Sequence, residues 1–423
     1  MVTMIESIDK VFGHLVVEVN VSEERIRTYF KSMQEPRFVE IIIRNRKYYE
    51  VPFITSRICG ACSIAHFLAS IYGIENAMGI EVNEDIKLLR DIMNQVQIAQ
   101  NNIVHLLFLA LPDYIGGTSF KDLLKYNPDI VRIGLKLNAL CLKVIDIVAG
   151  RIVNPNTCNI GGFYRDIPKE KIKKSIEILR EAESLAKKFV DFVFQLETPK
   201  FIESSSTYAV LESPREYLVK GEHIVFSNGV RVNSEDYMKV LNEIPTEYST
   251  SKIVLYNGEP LYVGSRARVN AYYERLHGFE EYIEMLSLPL RNPFDNLKAK
   301  ALEILYIIKN VKEKFDEILD KRLKLRVNVK PREGEGVGVI EAPRGLLIHH
   351  YRVDREGRIV YANIITPTTI NAKHIEECAA TLVFNSMKKG NYDFENLRKL
   401  VSMLVRSYDP CLPCATHIVF VKR

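Results

Sequence analysis

The apolar positions of the chain recur mostly at helical spacing. Asn83 stands at an N-cap position, and Ile86, Leu89, Met93 and Val96 follow on one face. That helix should run toward His105 and end near Leu111-Pro112-Asp113-Tyr114. A shorter helix is predicted from about Cys62 to Met78, and another over residues 120 to 150. Pro168 opens a further one, with Ile172, Ile176, Leu179, Leu185, Phe189, Phe192 and Leu196 as its buried stripe. Asn292-Pro293 precedes a helix striped by Leu297, Ala301, Leu305, Ile308, Val311, Phe315 and Leu319, its Lys and Glu residues falling on the opposite face. Two last helices are predicted from Asn371 to about Met387 and from Phe394 to Ser407.

Strand signals are fewer. Residues 13 to 21 are apolar with partial alternation, and short β-runs cluster between 201 and 265, punctuated by Ser227-Asn228-Gly229 and Tyr256-Asn257-Gly258. Turn residues also gather at Val153-Asn154-Pro155 and Gly161-Gly162-Phe163. The pattern predicts a mainly α (α+β) fold, a helical bundle with small β-rich lobes. One large domain would run from a β-rich start (1–60) through helices (62–200) and a β-rich insertion (201–265) to a mixed last part (266–423). Gly334-x-Gly336-x-Gly338 is not a dinucleotide fingerprint, because the spacing to a third phosphate-loop glycine and the strand-first context are wrong.

Composition narrows the function classes. The chain has 423 residues, 47% of them hydrophobic, enough for a sizeable core. Its net charge of +5 is spread over 58 basic and 53 acidic residues, so there is no polybasic nucleic-acid signature. A surface so rich in both signs suits a thermophile. The start Met1-Val2-Thr3-Met4-Ile5-Glu6 carries no signal peptide, and no apolar run approaches the roughly 20 residues of a membrane span. Together with seven cysteines, an odd number, this implies a reducing cytoplasm.

Four of those cysteines form two Cys-x-x-Cys pairs at opposite ends of the chain, Cys59/Cys62 and Cys411/Cys414. Four thiolates can hold a soft transition metal. Zinc ribbons place such pairs about 12–20 residues apart in one small module. Here nearly the whole chain intervenes, so a buried central site competes with plain structural zinc. Cys141, Cys158 and Cys378 are scattered and read as small core hydrophobes. Three are too few for an iron–sulfur cluster, so electrons from a metal site would leave through another polypeptide.

The flanks of the pairs decide between these readings. Arg57-Ile58-Cys59-Gly60-x-Cys62-x-x-x-His66 and Asp409-Pro410-Cys411-x-x-Cys414-x-x-His417 resemble the large subunit of [NiFe] hydrogenases. The resemblance spans residues 35 to 417 and is strongest to the cytosolic multisubunit branch, which includes archaeal sulfhydrogenase and NADP-linked or deazaflavin-linked enzymes. It implies nickel held by Cys59, Cys62, Cys411 and Cys414, with Cys62 and Cys414 bridging to an iron that carries carbon monoxide and cyanide. Glu40, after Glu35-Pro36-Arg37, and His417 would hold a magnesium or iron ion. Arg344, in Glu341-Ala342-Pro343-Arg344-Gly345, would present its guanidinium to the iron ligands. Thr368 or Thr369, in Thr366-Pro367-Thr368-Thr369, would bond a cyanide, with Pro367 beside it. His66, one helical turn from Cys62, would hydrogen-bond near a thiolate or fill the core. Cys411 and Arg344 are the candidate bases, with Asp113 and Asp409 tuning the arginine and Asp113 salt-bridged to it.

The implied activity is reversible heterolytic cleavage of H2. The implied partners are an Fe–S small subunit, further flavin-, nicotinamide- or deazaflavin-linked electron-transfer subunits, maturation proteins, and a protease that removes the tail after His417. No nucleotide site or Fe–S cluster is expected in this chain. One departure stands out. Lys10-Val11-Phe12-Gly13 aligns Phe12 with the family's proton-gate glutamate, and phenylalanine carries no transferable proton. Asp9 and His14 are the titratable neighbours. Asn154, where the family commonly has histidine, is a smaller departure. Phe12 leaves open a non-catalytic or H2-sensing subunit, beside the catalytic reading and the structural-zinc one.

Overall fold

A computed structural model describes residues 2–22, 25–36, 38–201, 207–218, 220–388 and 393–416. It is 51% helical and 20% strand, in keeping with the expected mainly helical α+β class. Four long helices, Glu84–Val104, Pro128–Ala149, Lys169–Gln195 and Asn296–Ile318, share the main apolar core. Their boundaries follow local chemistry. The Asn83 side chain accepts from the Ile86 N–H at 3.1 Å, and Asn127 does the same for Ile130 at 3.1 Å. Gly150, at φ 74°, ends one of them in the left-handed conformation that favours glycine.

The helix expected over 120–150 is two helices, Phe120–Tyr126 and Pro128–Ala149. The Pro128 ring crowds the residue before it, and Asn127 leaves the helical region at φ −149°, ψ 86°. After Val104 the chain continues as a π-helical turn, His105–Ala110, a form enriched near functional sites. In Asn296–Ile318 the expectation that the charges face outward fails at Lys300, Glu303 and Lys314, which are 3%, 0% and 5% exposed.

An antiparallel sheet of Val2–Ile8, Leu15–Val21 and Ile26–Ser32 buries Leu15, Val17 and Val19. It is tied to the helix Pro367–Lys388, where Glu376 Oε1 accepts from Phe30 N at 2.9 Å. Short strands occupy 207 to 262 as the pattern predicts, from Thr207–Leu211 to Leu261–Tyr262. The helix at 367 starts four residues before the expected Asn371, because Pro367 fits its first turn.

A second antiparallel sheet, Gly334–Ala342, Gly345–Val353 and Ile359–Ile365, lies against the helix Ser63–Met78. The three glycines at 334, 336 and 338 are explained here. A Cβ on Gly338 would stand 2.1 Å from Ala69 O, and one on Gly336 2.1 Å from Ala77 N. They let strand and helix backbones touch, and this contact sets the height of the hairpin tip at Pro343-Arg344. Gly338→Ala is therefore expected to destabilise the fold by about 1–3 kcal/mol or more. Thermal unfolding followed by circular dichroism checks this, and an unchanged midpoint would contradict the close packing.

Candidate metal centre

Both cysteine pairs sit at helix starts. Cys59 is extended, and Gly60–Cys62 forms one 3-10 turn before the helix Ser63–Met78. The helix Phe394–Ser407 delivers the other pair through Asp409, whose φ of 54° turns the chain sharply ahead of Cys411. The N-terminal loop clamps this turn, with Leu412 N–H donating to Phe12 O at 2.8 Å and Phe12 N–H to Pro410 O at 3.3 Å.

Folding thus brings together residues 352 positions apart. The Sγ separations are 3.3 Å for Cys59–Cys411, 3.5 Å for Cys62–Cys414 and 2.6 Å for Cys411–Cys414. All four thiols are buried, with their sulfurs within 4.8 Å of one another. Among the described residues this is the only such group of metal-ligating side chains. Donation from Cys411 holds the Cys59 thiol well below its ordinary range. The same neighbour pushes Cys62 well above it, and burial pushes Cys414 up. Four thiolates this close cannot ionise together unless a cation lies among them, and their softness selects a thiophilic metal.

A small enclosed cavity opens beside the sulfurs, lined by Cys62, His66, Ala342, Pro343, Arg344, Leu347, Pro367, Thr368, Cys411 and Cys414. Its wall is apolar apart from the thiols, one imidazole, one hydroxyl and one guanidinium. Arg344 is 4% exposed. Its Nε donates to Asp409 O and its Nη2 to Asp409 Oδ1 at 2.9 Å. Nη1 is buried without a hydrogen-bond partner among the described residues. A buried charged donor left unpaired is costly, so this N–H suits an anionic or polar ligand held in the cavity. The Thr368 hydroxyl accepts from Cys411 N–H at 3.0 Å and keeps its own proton to donate. Thr369 bonds Thr366 at 2.9 Å instead and does not line the cavity.

Asp409 is the hub behind the arginine. Its Oδ2 also accepts from Lys300 Nζ at 2.9 Å and Asn101 Nδ2 at 3.0 Å. Burial works against its charge, but Arg344, His105 and Lys300 outweigh this and hold the carboxyl at about 2. Asp113 does not salt-bridge to Arg344 as expected. It pairs with Lys10 at 2.5 Å and with Arg406 Nε at 2.6 Å, and Arg406 also holds Asp9 at 2.9 Å. These ion pairs fasten the loop that carries Phe12. The Phe12 ring lies over the Arg344 guanidinium, 4.8 Å from centroid to Cζ. His14 is exposed, and Asp9 is 74% exposed.

Glu40 lies in the short helix Val39–Ile42 and lines a second cavity with Ile58, Ile364, Pro413, Cys414 and Thr416. Thr416 Oγ1 is buried there without a partner among the described residues. His417 and the tail 418–423 lie outside the described residues.

A model of the nickel-dependent hydrogenase family matches residues 37–130 and 217–417. The chain belongs to this family. As a hydrogenase large subunit it is an oxidoreductase, and its four-cysteine cage fits a nickel–iron centre. It is 32% identical over 427 aligned positions to sulfhydrogenase 2 subunit alpha of Pyrococcus furiosus, covering 99% of this chain and 100% of that one. It is 34% identical over 422 positions to sulfhydrogenase 1 subunit alpha of the same organism, covering 98% and 97%. The fold is shared with an NAD+-reducing [NiFe]-hydrogenase in the H2-reduced state, at a TM-score of 0.85 and 22% identity over 98% of this chain and 99% of that one. Among the described residues, no helix is long and apolar enough to cross a membrane.

Several residues around this hydrogenase site had no signal in the sequence. Lys300 is hidden inside an ordinary amphipathic pattern. Asn101, His349 and Tyr351 also gather near the site with no motif to mark them. For Phe12 the signal existed, in the aligned Lys10-Val11-Phe12-Gly13, but its stacking on Arg344 did not follow from it.

Proposed function

We propose that this chain is the catalytic subunit of a heteromeric hydrogenase that splits and forms H2 heterolytically. The observation that carries the reading is the buried, unpaired Nη1–H of Arg344, a residue that lines the same cavity as the thiols of Cys62, Cys411 and Cys414. Cys59, Cys62, Cys411 and Cys414 would hold the nickel–iron group, whose iron would carry carbon monoxide and cyanide. When bound, this group supplies Lewis acidity and redox capacity. The chain supplies the rest. The Cys411 thiolate takes the proton, Arg344 and Thr368 donate to the polar ligands of the cavity, and Asp409 fixes the arginine. The apolar wall excludes water.

Glu40, with His417, would hold a magnesium or iron ion against the C-terminal loop. Electrons would leave through an Fe–S small subunit and further electron-transfer subunits in the cytoplasm. The designation of the Pyrococcus relatives as alpha subunits supports such an assembly.

Phe12 favours a second reading, a hydrogenase-like subunit that senses H2 or scaffolds the complex without turnover. H2/D2O isotope exchange on the nickel-loaded complex separates the two, since it requires H2 cleavage and proton escape but no electron acceptor. Exchange is expected for the native complex. No exchange that Phe12→Glu restores would locate the fault in proton transfer. No exchange in either form, with nickel present, would sink the catalytic reading.

A further inference from the structure

Behind the thiolate cavity runs a row of three buried side chains that no step above uses. His66 faces the cavity, and its Nδ1 lies 3.0 Å from His349 Nε2. His349 Nδ1 lies 2.7 Å from the Tyr351 hydroxyl. His66 is 1% exposed, and His349 and Tyr351 are 0% exposed. The row is built between regular elements, since His66 belongs to the helix Ser63–Met78 and the other two to the strand Gly345–Val353. Gly73 permits the approach: a Cβ there would meet His349 O at 2.9 Å and the Tyr351 ring at 2.9 Å.

The chemistry of the cavity gives the row a direction. A metal-bound thiolate has no proton and can only accept a hydrogen bond. The His66 nitrogen on the cavity side therefore serves it as N–H. A neutral imidazole has one donor, which leaves His66 Nδ1 as an acceptor. His349 Nε2–H must then donate to it, His349 Nδ1 must accept, and the Tyr351 O–H closes the row as donor. Burial pushes His349 well below its ordinary value, in keeping with an uncharged ring.

We propose that His349 and Tyr351 are positioning residues that fix the Nε2–H tautomer of His66 and aim that N–H at the thiolate cavity. The proposal rests on the nickel–iron reading of the site. It makes the identity of residues 349 and 351 matter to the electronic state of the sulfur ligands, although neither touches them.

The test uses the hydrogenase complex with its partner subunits, in native form and with Tyr351→Phe, His349→Leu or His349→Gln. Nickel content, H2/D2O exchange per nickel and the infrared bands of the iron-bound diatomic ligands are measured together. Tyr351→Phe and His349→Leu are expected to lower exchange per nickel by ~10–100-fold and to shift the infrared bands. His349→Gln, which keeps an N–H donor for His66, should retain more activity than His349→Leu. A structural role alone would reduce nickel content and leave the bands of the loaded fraction in place. Unchanged bands and unchanged exchange per nickel in the loaded fraction would overturn the proposal. If the variants do not fold, the native complex still decides: with 15N-labelled histidine, pulsed EPR of a paramagnetic nickel state should show a nitrogen coupling from His66 that His66→Phe removes, and its absence overturns the proposal. A native complex without nickel would overturn the metal reading itself, and the proposal with it.

Discussion

Cys411→Ser is expected to empty the site of nickel while leaving the fold in place. The backbone around residue 411 is held independently of its sulfur. Its N–H donates to Thr368 Oγ1 at 3.0 Å, and the neighbouring Leu412 N–H donates to Phe12 O at 2.8 Å. Serine is close to isosteric with cysteine, so the circular dichroism spectrum should change little, and the unfolding midpoint should match that of the native protein without nickel. The metal should not tolerate the change. Four-ligand thiolate-type sites bind with apparent free energies of ~10–16 kcal/mol, so one ligand in four is worth ~3 kcal/mol, or ~100-fold in affinity. The hydroxyl is also a harder donor that keeps its proton at neutral pH, which adds to the loss. Elemental analysis should find nickel near background, and H2/D2O exchange should vanish with it. Cys158→Ser is the matched control. Cys158 is equally buried but stands outside the four-thiol group, so its nickel content should match the native protein. Full nickel content in Cys411→Ser would remove the four-thiolate cage from the account.

What the sequence made legible here is largely what local chemistry controls. Asn83 and Pro168 mark helix starts because capping and the proline ring act within a few residues. The cysteine pairs are legible because four soft ligands in two bites have few other uses, and their flanks are specific. Partner choice between distant charges is not local. Asp113 belongs to Lys10 and Arg406 rather than Arg344, and only the packing of the helix Phe394–Ser407 against the N-terminal loop determines that. Lys300 and Glu303 lie three residues apart on a helix whose other charges, Lys314 excepted, are at least partly solvated. Periodicity assigns them the same face, yet both turn inward because Asp409 and Arg268 wait there as partners. The break at Asn127-Pro128 was available from the proline itself, but the continuous apolar stripe on both sides masked it. The glycines 334, 336 and 338 could be excluded as a phosphate loop from spacing, while their use as a contact surface needed the facing helix.

Asp409→Asn is expected to be the most damaging substitution that leaves every metal ligand intact. The carboxylate is the shared anion for Arg344 and Lys300, both at 2.9 Å and both almost fully buried. The amide keeps the shape and can still accept from one cation, but it removes the carboxylate charge that the two cations share. Breaking a buried ion pair in this way costs on the order of 3–5 kcal/mol, because the partners stay charged in a low-dielectric interior. Lys300→Met should cost less, since it removes one cation and leaves Asp409 with Arg344. Acid makes the same distinction in a different way. Burial raises the Asp409 carboxyl and the neighbouring cations lower it more, so that its folded value of about 2 lies below the ordinary 3.8. A depressed value stabilises the fold fully above the ordinary carboxyl range, and that contribution fades as pH falls through about 2. That depression corresponds to on the order of 2 kcal/mol. The stability gap between the native chain and Asp409→Asn should therefore be widest at neutral pH and narrow between about pH 4 and pH 2, as read by denaturant unfolding at fixed ionic strength. A gap that stays constant across that range would mean that Asp409 acts through its shape and not its charge, and Arg344 would then owe its position to the backbone carbonyl of residue 409 alone.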